Sequence, residues 1–529
     1  YSKALFSADL MAGLVVGIVA LPLAIAFAIA ASPGGDVEHT IGPGIGIITA
    51  IVAGLIISLF GGSRVQIGGP TGAFIVIIYG IVAKFGLSGL LVATILAGVM
   101  LVLMGVFRLG SVIKFIPYPI VVGFTSGIAL TIFTTQVKDL LGLTLEGGAP
   151  AAFIDKWMCY FRNITTLQWD AVAVSAVSIA IIVACTRWMK RLPGSLIAII
   201  VTTATVYFTN QSGLTHVATI GDRFGNITAS LPHINAFHLD WKSLFTDAQG
   251  HFTFNTLSAL FPSAFVIAIL GAIESLLSAT VADGVTGDHH DSNQELIGQG
   301  IANIVAPFFG GIPATGAIAR TMTNINNGAR TCIAGVVHAL VLLVIFIVAM
   351  PLAAYIPMPT LAGVLVVVSY NMSQWRTFAQ LTHRPKSDVV VLLVTFVLTV
   401  VFDLTIAIEL GLVLACLLFM RRMAEVTQLS IFTKEIDPNA DPVADIPLHE
   451  EALVIPDGVE VYEINGVHNL ENLCLMSQRD GTQIILSGVQ PKVRAVLERA
   501  GFPALIGEDN ICSHITIALE RAAALRAKA

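Results

Sequence analysis

Two stretches of this chain place Thr-Gly-Ala just behind a proline inside apolar sequence. One is Gly68-Gly69-Pro70-Thr71-Gly72-Ala73; the other is Gly310-Gly311-Ile312-Pro313-Ala314-Thr315-Gly316-Ala317. Proline interrupts a preceding helix and is tolerated at the start of a new one. Each triplet therefore falls at a helix N-terminus. The first N–H groups of a helix have no intrahelical acceptor, and the positive end of the helix dipole lies there. Gly72, Ala73, Gly316 and Ala317 would leave those amides, together with Thr71 and Thr315, open to a ligand. Two such ends meeting in an apolar interior make an anion site without a full charge. The same small residues also suit close helix packing; their occurrence as a matched pair favours binding.

Three charged or polar residues stand near these triplets or in comparable apolar surroundings. Arg320 lies five residues after Thr315 and would add positive potential beside an anion; the alternative is an arginine that pairs with backbone carbonyls. Glu274 is the only acid between Leu257 and Val281, which makes it a candidate proton carrier, or a cation ligand together with Ser278 one turn on. The alternative is a structural ion pair. Phe27, beyond the break expected at Pro22, could turn an aromatic face to the pocket or serve as ordinary packing. Asp403 and Glu409 are weaker candidates, near a segment junction. His338 reads as an interior histidine. The loop Asp283–Asp291 is acidic and contains histidine, but a solvated loop explains it better than a metal. The six cysteines show no metal-ligand spacing and imply no disulfide.

These residues sit in a chain of 529 residues that is 55% hydrophobic and 12% charged, with mean hydropathy +0.84. Soluble domains carry about 25% charged residues, so most of this chain belongs in a membrane. Fourteen segments are expected, near 9–31, 42–60, 71–83, 88–107, 117–136, 169–187, 194–208, 257–281, 294–309, 315–326, 331–351, 358–372, 388–402 and 404–420. The first is not read as a signal peptide, since no polar transition follows it and Pro22 stands in its middle. The segments starting at Thr71 and Thr315 are too short to cross about 30 Å of hydrocarbon as helices and read as half-helices. Net charge is −6 and no basic tract suggests nucleic acid.

The membrane part is built twice. The two Thr residues lie 244 positions apart (71 and 315), and Ile116-Pro117-Tyr118-Pro119 with Gly123 recurs 240 positions on as Ile356-Pro357-Met358-Pro359 with Gly363. Broken helices at matching positions of two halves point to a transporter's substrate site. Arg108 and Lys114, then Arg187, Lys190 and Arg191, then Arg384 and Lys386, then Arg421 and Arg422 all fall on the cytoplasmic side if the N-terminus is inside. Seven segments per half is odd, so the second copy is inverted and its triplet approaches from the opposite face.

After Arg422 the chain changes character. Residues 423–458 read as a linker, rich in Asp and Pro within 430–458. Residues 459–529 read as α/β, with strands over Val459–Ile464 and Thr482–Leu486 and helices over Lys492–Ala500 and His514–Ala527.

The strings Gly61-Gly62-Ser63-Arg64, Gly69-Pro70-Thr71, Gly271-Ala272-Ile273-Glu274-Ser275-Leu276-Leu277 and Pro307-Phe308-Phe309-Gly310-Gly311 resemble the SulP anion-permease family over most of the chain. The tail Gly481–Gln490 is similar to a late strand of that family's cytoplasmic STAS domain, although the middle of such a domain is not recognisable here. The resemblance implies a polytopic α-helical membrane protein, fourteen segments in a seven-plus-seven inverted repeat with two half-helices, carrying a C-terminal α/β STAS-like module. It implies a transport domain over 1–422 (repeats about 1–210 and 250–422) in which a mobile core moves substrate past a static gate, as an elevator. Phe27, Thr71, Thr315, Gly316, Ala317, Ile318 and Arg320 would line the anion site, and Glu274 with Ser278 would couple a cation. Pro33–Gly46 departs from the Tyr-rich turn usual there, and Cys332 stands where relatives often have Pro.

The expectation is a secondary active transporter of small anions, sulfate first, with bicarbonate or a C4-dicarboxylate as alternatives. It would be driven by H+ or Na+, without an organic cofactor, in a bacterial inner membrane, with N-terminus and C-terminal domain cytoplasmic. Expected partners are the anion, membrane lipid, a second copy of the chain and a cytoplasmic regulator at the STAS-like domain. The rivals are an uncoupled anion channel and a non-transporting sensor. No nucleophile–base pair or metal-ligand spacing suggests an enzyme.

Overall fold

The computed structural model describes residues 2–32, 41–113, 118–145, 150, 152–188, 193–225, 255–383 and 386–401, and short stretches of the remainder, chiefly 482–489, 491–499 and 501–527. The chain divides into two compact units, Tyr1–Ala415 and Cys416–Ala529.

The first unit is built from helices. α1 (Lys3–Ala30) starts at Ser2, whose hydroxyl accepts from the Leu5 amide at 3.2 Å, and it runs through Pro22 without ending. α2 (Pro43–Phe60) opens on a proline, where no backbone donor is needed. The extended pair β1 (Gly68–Gly69) follows, then α3 (Phe74–Val106). α3 is broken at Gly86, where φ is 67° and ψ is −174°, so it comprises a short helix and a longer one, as the two separate segments 71–83 and 88–107 require. α4 (Gly110–Ile113), α5 (Tyr118–Leu141), α6 (Phe153–Arg162), α7 (Trp169–Trp188), α8 (Gly194–Gln211) and α9 (Ile220–Phe224) complete the first half.

The second half repeats that opening order. α10 (Asn255–Thr286) and α11 (Ser292–Val305) precede the extended pair β2 (Thr315–Gly316) and a short helix, α12 (Ile318–Asn326). Then come α13 (Ile333–Ala353), α14 (Met358–Met372), α15 (Trp375–Leu381) and α16 (Lys386–Val401). Thirteen of the fourteen expected segments coincide with these helices. The fourteenth, 404–420, lies outside the described residues, as do Asp403 and Glu409. Among the described residues seven helices are long and apolar enough to cross a bilayer unaided. The chain is thus an integral membrane protein. β1 and β2 pair antiparallel, Gly68 opposite Gly316 and Gly69 opposite Thr315. Their opposed directions are those an inverted repeat requires.

The helices pack as two groups. In one, α1 lies against α13 and α2, α3 against α11 and α10, and α12 against α10 and α1. In the other, α5 lies against α14 and α16, and α7 against α8 and α14. Small residues decide the closest approach within the first group. Ala12, Val16, Ala20, Ala24 and Ala28 form a fully buried stripe at a spacing of four along α1. A side chain at Gly46 would run into the Ala24 carbonyl oxygen and the Ala28 methyl, so the α2 backbone rests directly on α1.

In the second unit β3 (Ser430–Phe432) pairs antiparallel with β6 (Val461–Glu463), and β4 (Glu435–Ile436) with β5 (Leu453–Val454). The stretch read as a linker therefore carries strands. The strand expected over Thr482–Leu486 is reduced to one bridge, Leu486 beside Ile511. Both expected helices are present, as α17 (Pro491–Arg499) and, after the short α18 (Phe502–Ile506), α19 (Ile515–Arg526) capped by His514. Cys474, Leu497, Phe502, Ile506 and Ile511 form their common core.

Gly46→Val should force α1 and α2 apart at a cost of about 1–3 kcal/mol. Thermal unfolding in detergent should show a lower midpoint; an unchanged midpoint would mean that the two backbones do not touch there.

Candidate functional site

The site is assembled where the two extended pairs cross. Backbone in an apolar interior must find its hydrogen-bond partners inside the protein, and side chains from neighbouring helices supply those that β1 and β2 do not. Asn303 on α11 grips Ala314 from both sides: its Nδ2 donates to the Ala314 carbonyl at 2.8 Å and its Oδ1 accepts from the Ala314 amide at 2.9 Å. Thr49 on α2 accepts from the Ile312 amide at 2.9 Å. Asn324 on α12 donates to the Val65 carbonyl at 2.9 Å, and Thr321 accepts from the Ile67 amide at 3.1 Å. Each half thus holds the other's extended segment.

Of the first triplet, the Thr71 hydroxyl donates to Glu274 Oε2 at 3.0 Å. The chain then turns, the Phe74 and Ile75 amides donating back to the Thr71 and Gly72 carbonyls. The amides of Thr71, Gly72 and Ala73 meet no acceptor among the described residues. Phe27 lies over them: a Cβ built on Gly72 would stand 3.5 Å from the Phe27 ring, 3.5 Å from Ile132 of α5 and 2.9 Å from the Met372 sulfur of α14. The first half-helix end thus faces the second helix group, with Phe27, itself 6% exposed, at the contact.

The second triplet is arranged differently. Thr315 is fully buried, its hydroxyl 2.7 Å from that of Ser275 and 3.0 Å from the Gly271 carbonyl, to which it donates. The Gly316 amide donates to Ser275 Oγ at 3.2 Å and the Ala317 amide to the Ile67 carbonyl at 2.9 Å. The expectation that Gly316 and Ala317 present free amides is therefore corrected: the crossing strand and Ser275 consume them. α12 starts only at Ile318, and its first intrahelical bond runs from Thr321 to Ala317. Among the described residues, the amides of Ile318, Ala319 and Arg320 meet no acceptor. Ile318 and Ala319 are exposed at this helix end.

Arg320 is 2% exposed, and its Nη2 donates to the Pro70 carbonyl immediately before Thr71. Its Nη1 has no hydrogen-bond partner among the described residues and lies beside Gly69, whose φ of 149° and lack of a Cβ make room for it. Carbonyl pairing and a free donor directed to the crossing thus coexist in one side chain. Glu274 is partly exposed, and among the described residues no ion pair joins it to Arg320. Ser278 is buried and donates to Thr321 at 3.3 Å, which ties it to α12. His338 is fully buried, and neither ring nitrogen has a well-formed hydrogen bond among the described residues. In the acidic loop, His290 Nδ1 lies 2.6 Å from Asp283, and Asp291 caps α11 through the Asn293 and Gln294 amides. Local structure thus occupies those side chains. The described cysteines are free thiols.

The structure adds residues that sequence reasoning missed: Ser275, Gln66, Asn303, Thr49 and Glu295. Ser275 follows Glu274 directly, and only the helix face it occupies separates its role from that of its neighbour.

Comparison with known proteins bears on this arrangement. A model described as the sulfate permease family matches residues 6–395. YvdB of Bacillus subtilis, a protein named for sulfate transport, is 38% identical, with 97% of each chain covered. The bicarbonate transporter BicA of a Picosynechococcus strain is 30% identical over 80% of this chain and 72% of its own. The solved transmembrane domain of a cyanobacterial BicA superposes with TM-score 0.63 and 26% identity, covering 79% of this chain and 98% of that one. These relatives are named as transporters, not as enzymes.

Two substitutions separate charge from carbonyl pairing at Arg320. Arg320→Gln removes the charge and Arg320→Lys keeps it without the two-pronged fork. Hydrogen bonds to charged groups contribute about 1.5–3 kcal/mol, so, with sulfate as the probe anion, any affinity measured in detergent should fall about tenfold or more in Arg320→Gln and less in Arg320→Lys. Equal affinities in all three proteins would reduce Arg320 to a structural donor.

Proposed function

The chain belongs to the sulfate permease family, and on that premise we propose that it is a secondary active transporter of small oxyanions, sulfate first, driven by a co-transported cation. The observation that carries this reading is the hydrogen bond between Thr71 and Glu274. It joins the open amides of the first half-helix to the one acid of the central stretch of α10.

The anion would lie between the two half-helix ends. Thr71, Gly72 and Ala73 would donate from one side, the first turn of α12 at Ile318 from the other, and the free Nη1 of Arg320 would add positive potential. Thr315, Gly316 and Ala317 would act by holding that turn in place. Phe27 would exclude water over the site. The amides and a guanidinium distinguish charge and size better than they distinguish one oxyanion from another. Bicarbonate, carried in name by the BicA relatives, and C4-dicarboxylates are thus the neighbouring choices.

Glu274 would supply the coupling. A carboxylate at hydrogen-bonding distance from Thr71 repels an anion at the same place, and the repulsion is strong where water is excluded. A proton or a sodium ion on Glu274, with Ser278 one turn away, removes that repulsion. Cation binding would favour anion binding and, by reciprocity, the converse. The two helix groups support movement of the first as a body against the second, an elevator whose sliding contact includes Phe27 and Gly72 on one side and Ile132 and Met372 on the other. We assign the transport domain to 1–422 and a STAS-like regulatory module to 459–529. We place the protein in a bacterial inner membrane with both termini cytoplasmic, from the distribution of Arg and Lys, and infer a homodimer.

Reconstituted protein should accumulate labelled sulfate, bicarbonate or fumarate against a gradient when a proton or sodium gradient is imposed separately. Glu274→Gln should abolish accumulation while leaving counterflow exchange. Uptake that never exceeds equilibrium, and that Glu274→Gln does not alter, would identify an uncoupled channel instead.

A further inference from the structure

Behind the crossing lies a buried acid, Glu295 on α11, with no exposed surface. Its Oε2 accepts from the Gly62 amide at 2.9 Å and the Ser63 amide at 3.1 Å. Its Oε1 accepts from Gln66 Nε2 and from Gln299 Nε2, both at 2.9 Å. Among the described residues four donors surround this carboxyl group and no acceptor does. That set fits an ionised carboxylate, which accepts only; a protonated acid would fit only with the Gln299 amide turned over to present its oxygen. Glu295 also occupies the first turn of α11, where the helix dipole favours negative charge.

The same Gln66 Nε2 donates to the Ser275 carbonyl at 3.3 Å. Ser275 Oγ in turn meets Thr315 and the Gly316 amide. A Cβ on Gly316 would run into the Gln66 amide, so the glycine is required by the side chain beneath it. One carboxylate therefore reaches both halves of the crossing. Through Gly62 and Ser63 it fixes the entry to β1; through Gln66 and Ser275 it fixes Thr315 and Gly316 of β2.

We propose that Glu295 is a positioning residue, an anchor whose hydrogen bonds hold the two half-helix ends at the separation the anion site needs. Its effect on transport rests on the anion-site reading above; its effect on β1 and β2 does not. Glutamine cannot replace it. One end of a glutamine amide is a donor, and set toward Gly62 and Ser63 it meets two backbone N–H groups that cannot turn away. Set toward Gln66 it meets an amide that could flip only by facing its own oxygen to the Ser275 carbonyl. Gln299 could flip freely, since its Oε1 has no partner.

The test uses the full chain in proteoliposomes and in detergent, with sulfate as probe and bicarbonate alongside. Glu295→Gln should raise the KM for uptake about tenfold per folded protein, with the maximal rate falling less. Hydrogen exchange should accelerate at Gly62, Ser63 and Gly316. Gln66→Met cuts only the arm to Ser275. It should raise KM similarly and free Gly316 while Gly62 and Ser63 stay protected, and it keeps the test alive if Glu295→Gln fails to fold. Either variant with a wild-type KM would overturn the link to the anion site. Exchange unchanged at Gly62, Ser63 and Gly316 in both variants, or at Gly316 in Gln66→Met alone if the other does not fold, would overturn the anchoring itself. Wild-type protein that takes up neither anion would instead refute the anion-site reading, and the exchange data would still decide the anchoring.

Discussion

Extended backbone inside a membrane must be hydrogen-bonded by the protein, because lipid offers nothing in exchange. This chain has two such segments, one before each half-helix, and each is the other's principal partner. β1 and β2 pair through Gly68, Gly69, Thr315 and Gly316. Glycine at three of those four positions lets the strands lie under Gln66, Arg320 and Ile57 without a clash. The remaining polar groups are met by Asn303, Asn324, Thr49, Thr321 and Ser275, all from packed helices. The candidate site is what is left over: the amides that this accounting leaves without a partner.

That remainder differs between the halves. In the first, the open amides are those of the triplet itself, Thr71 to Ala73. In the second, the triplet is absorbed into the crossing and the open amides begin at Ile318. Arg320 sits on the absorbed side and reaches across to Pro70, while the first half has Val76 at the corresponding distance from its Thr. The duplication therefore yields two helix ends with unequal tasks. One lies beside Phe27 and is bonded to Glu274; the other is clamped and carries the charge.

Two carboxylates serve this arrangement under opposite conditions. Glu295 is enclosed by four donors and has no room for change. Glu274 has one hydrogen-bond partner among the described residues and a partly exposed surface. A buried charge costs least when it is fully hydrogen-bonded and most when it is not. The first is suited to anchoring a structure; the second, under the proposed function, would gain and lose a cation.

The sequence by itself determined the membrane class, the duplication and its inversion. Hydropathy, matched Gly/Pro breaks and the count of segments depend on local chemistry and on nothing distant. It also pointed to Thr71, Glu274 and Arg320, since a break or a charge in apolar sequence is conspicuous; Phe27 came from the family resemblance, for α1 is not broken at Pro22. Only the tertiary structure decided which amides are free, because that depends on where partners from the other half arrive: Ile67 and Ser275 take the Ala317 and Gly316 donors. It alone revealed Glu295, whose surroundings Gly62, Ser63, Gln66 and Gln299 lie in two distant stretches of the chain. Ser278 reads as a companion of Glu274 by helical spacing, yet it is bonded to Thr321. Spacing along one helix gives direction, and only the helix packed against it supplies the partner.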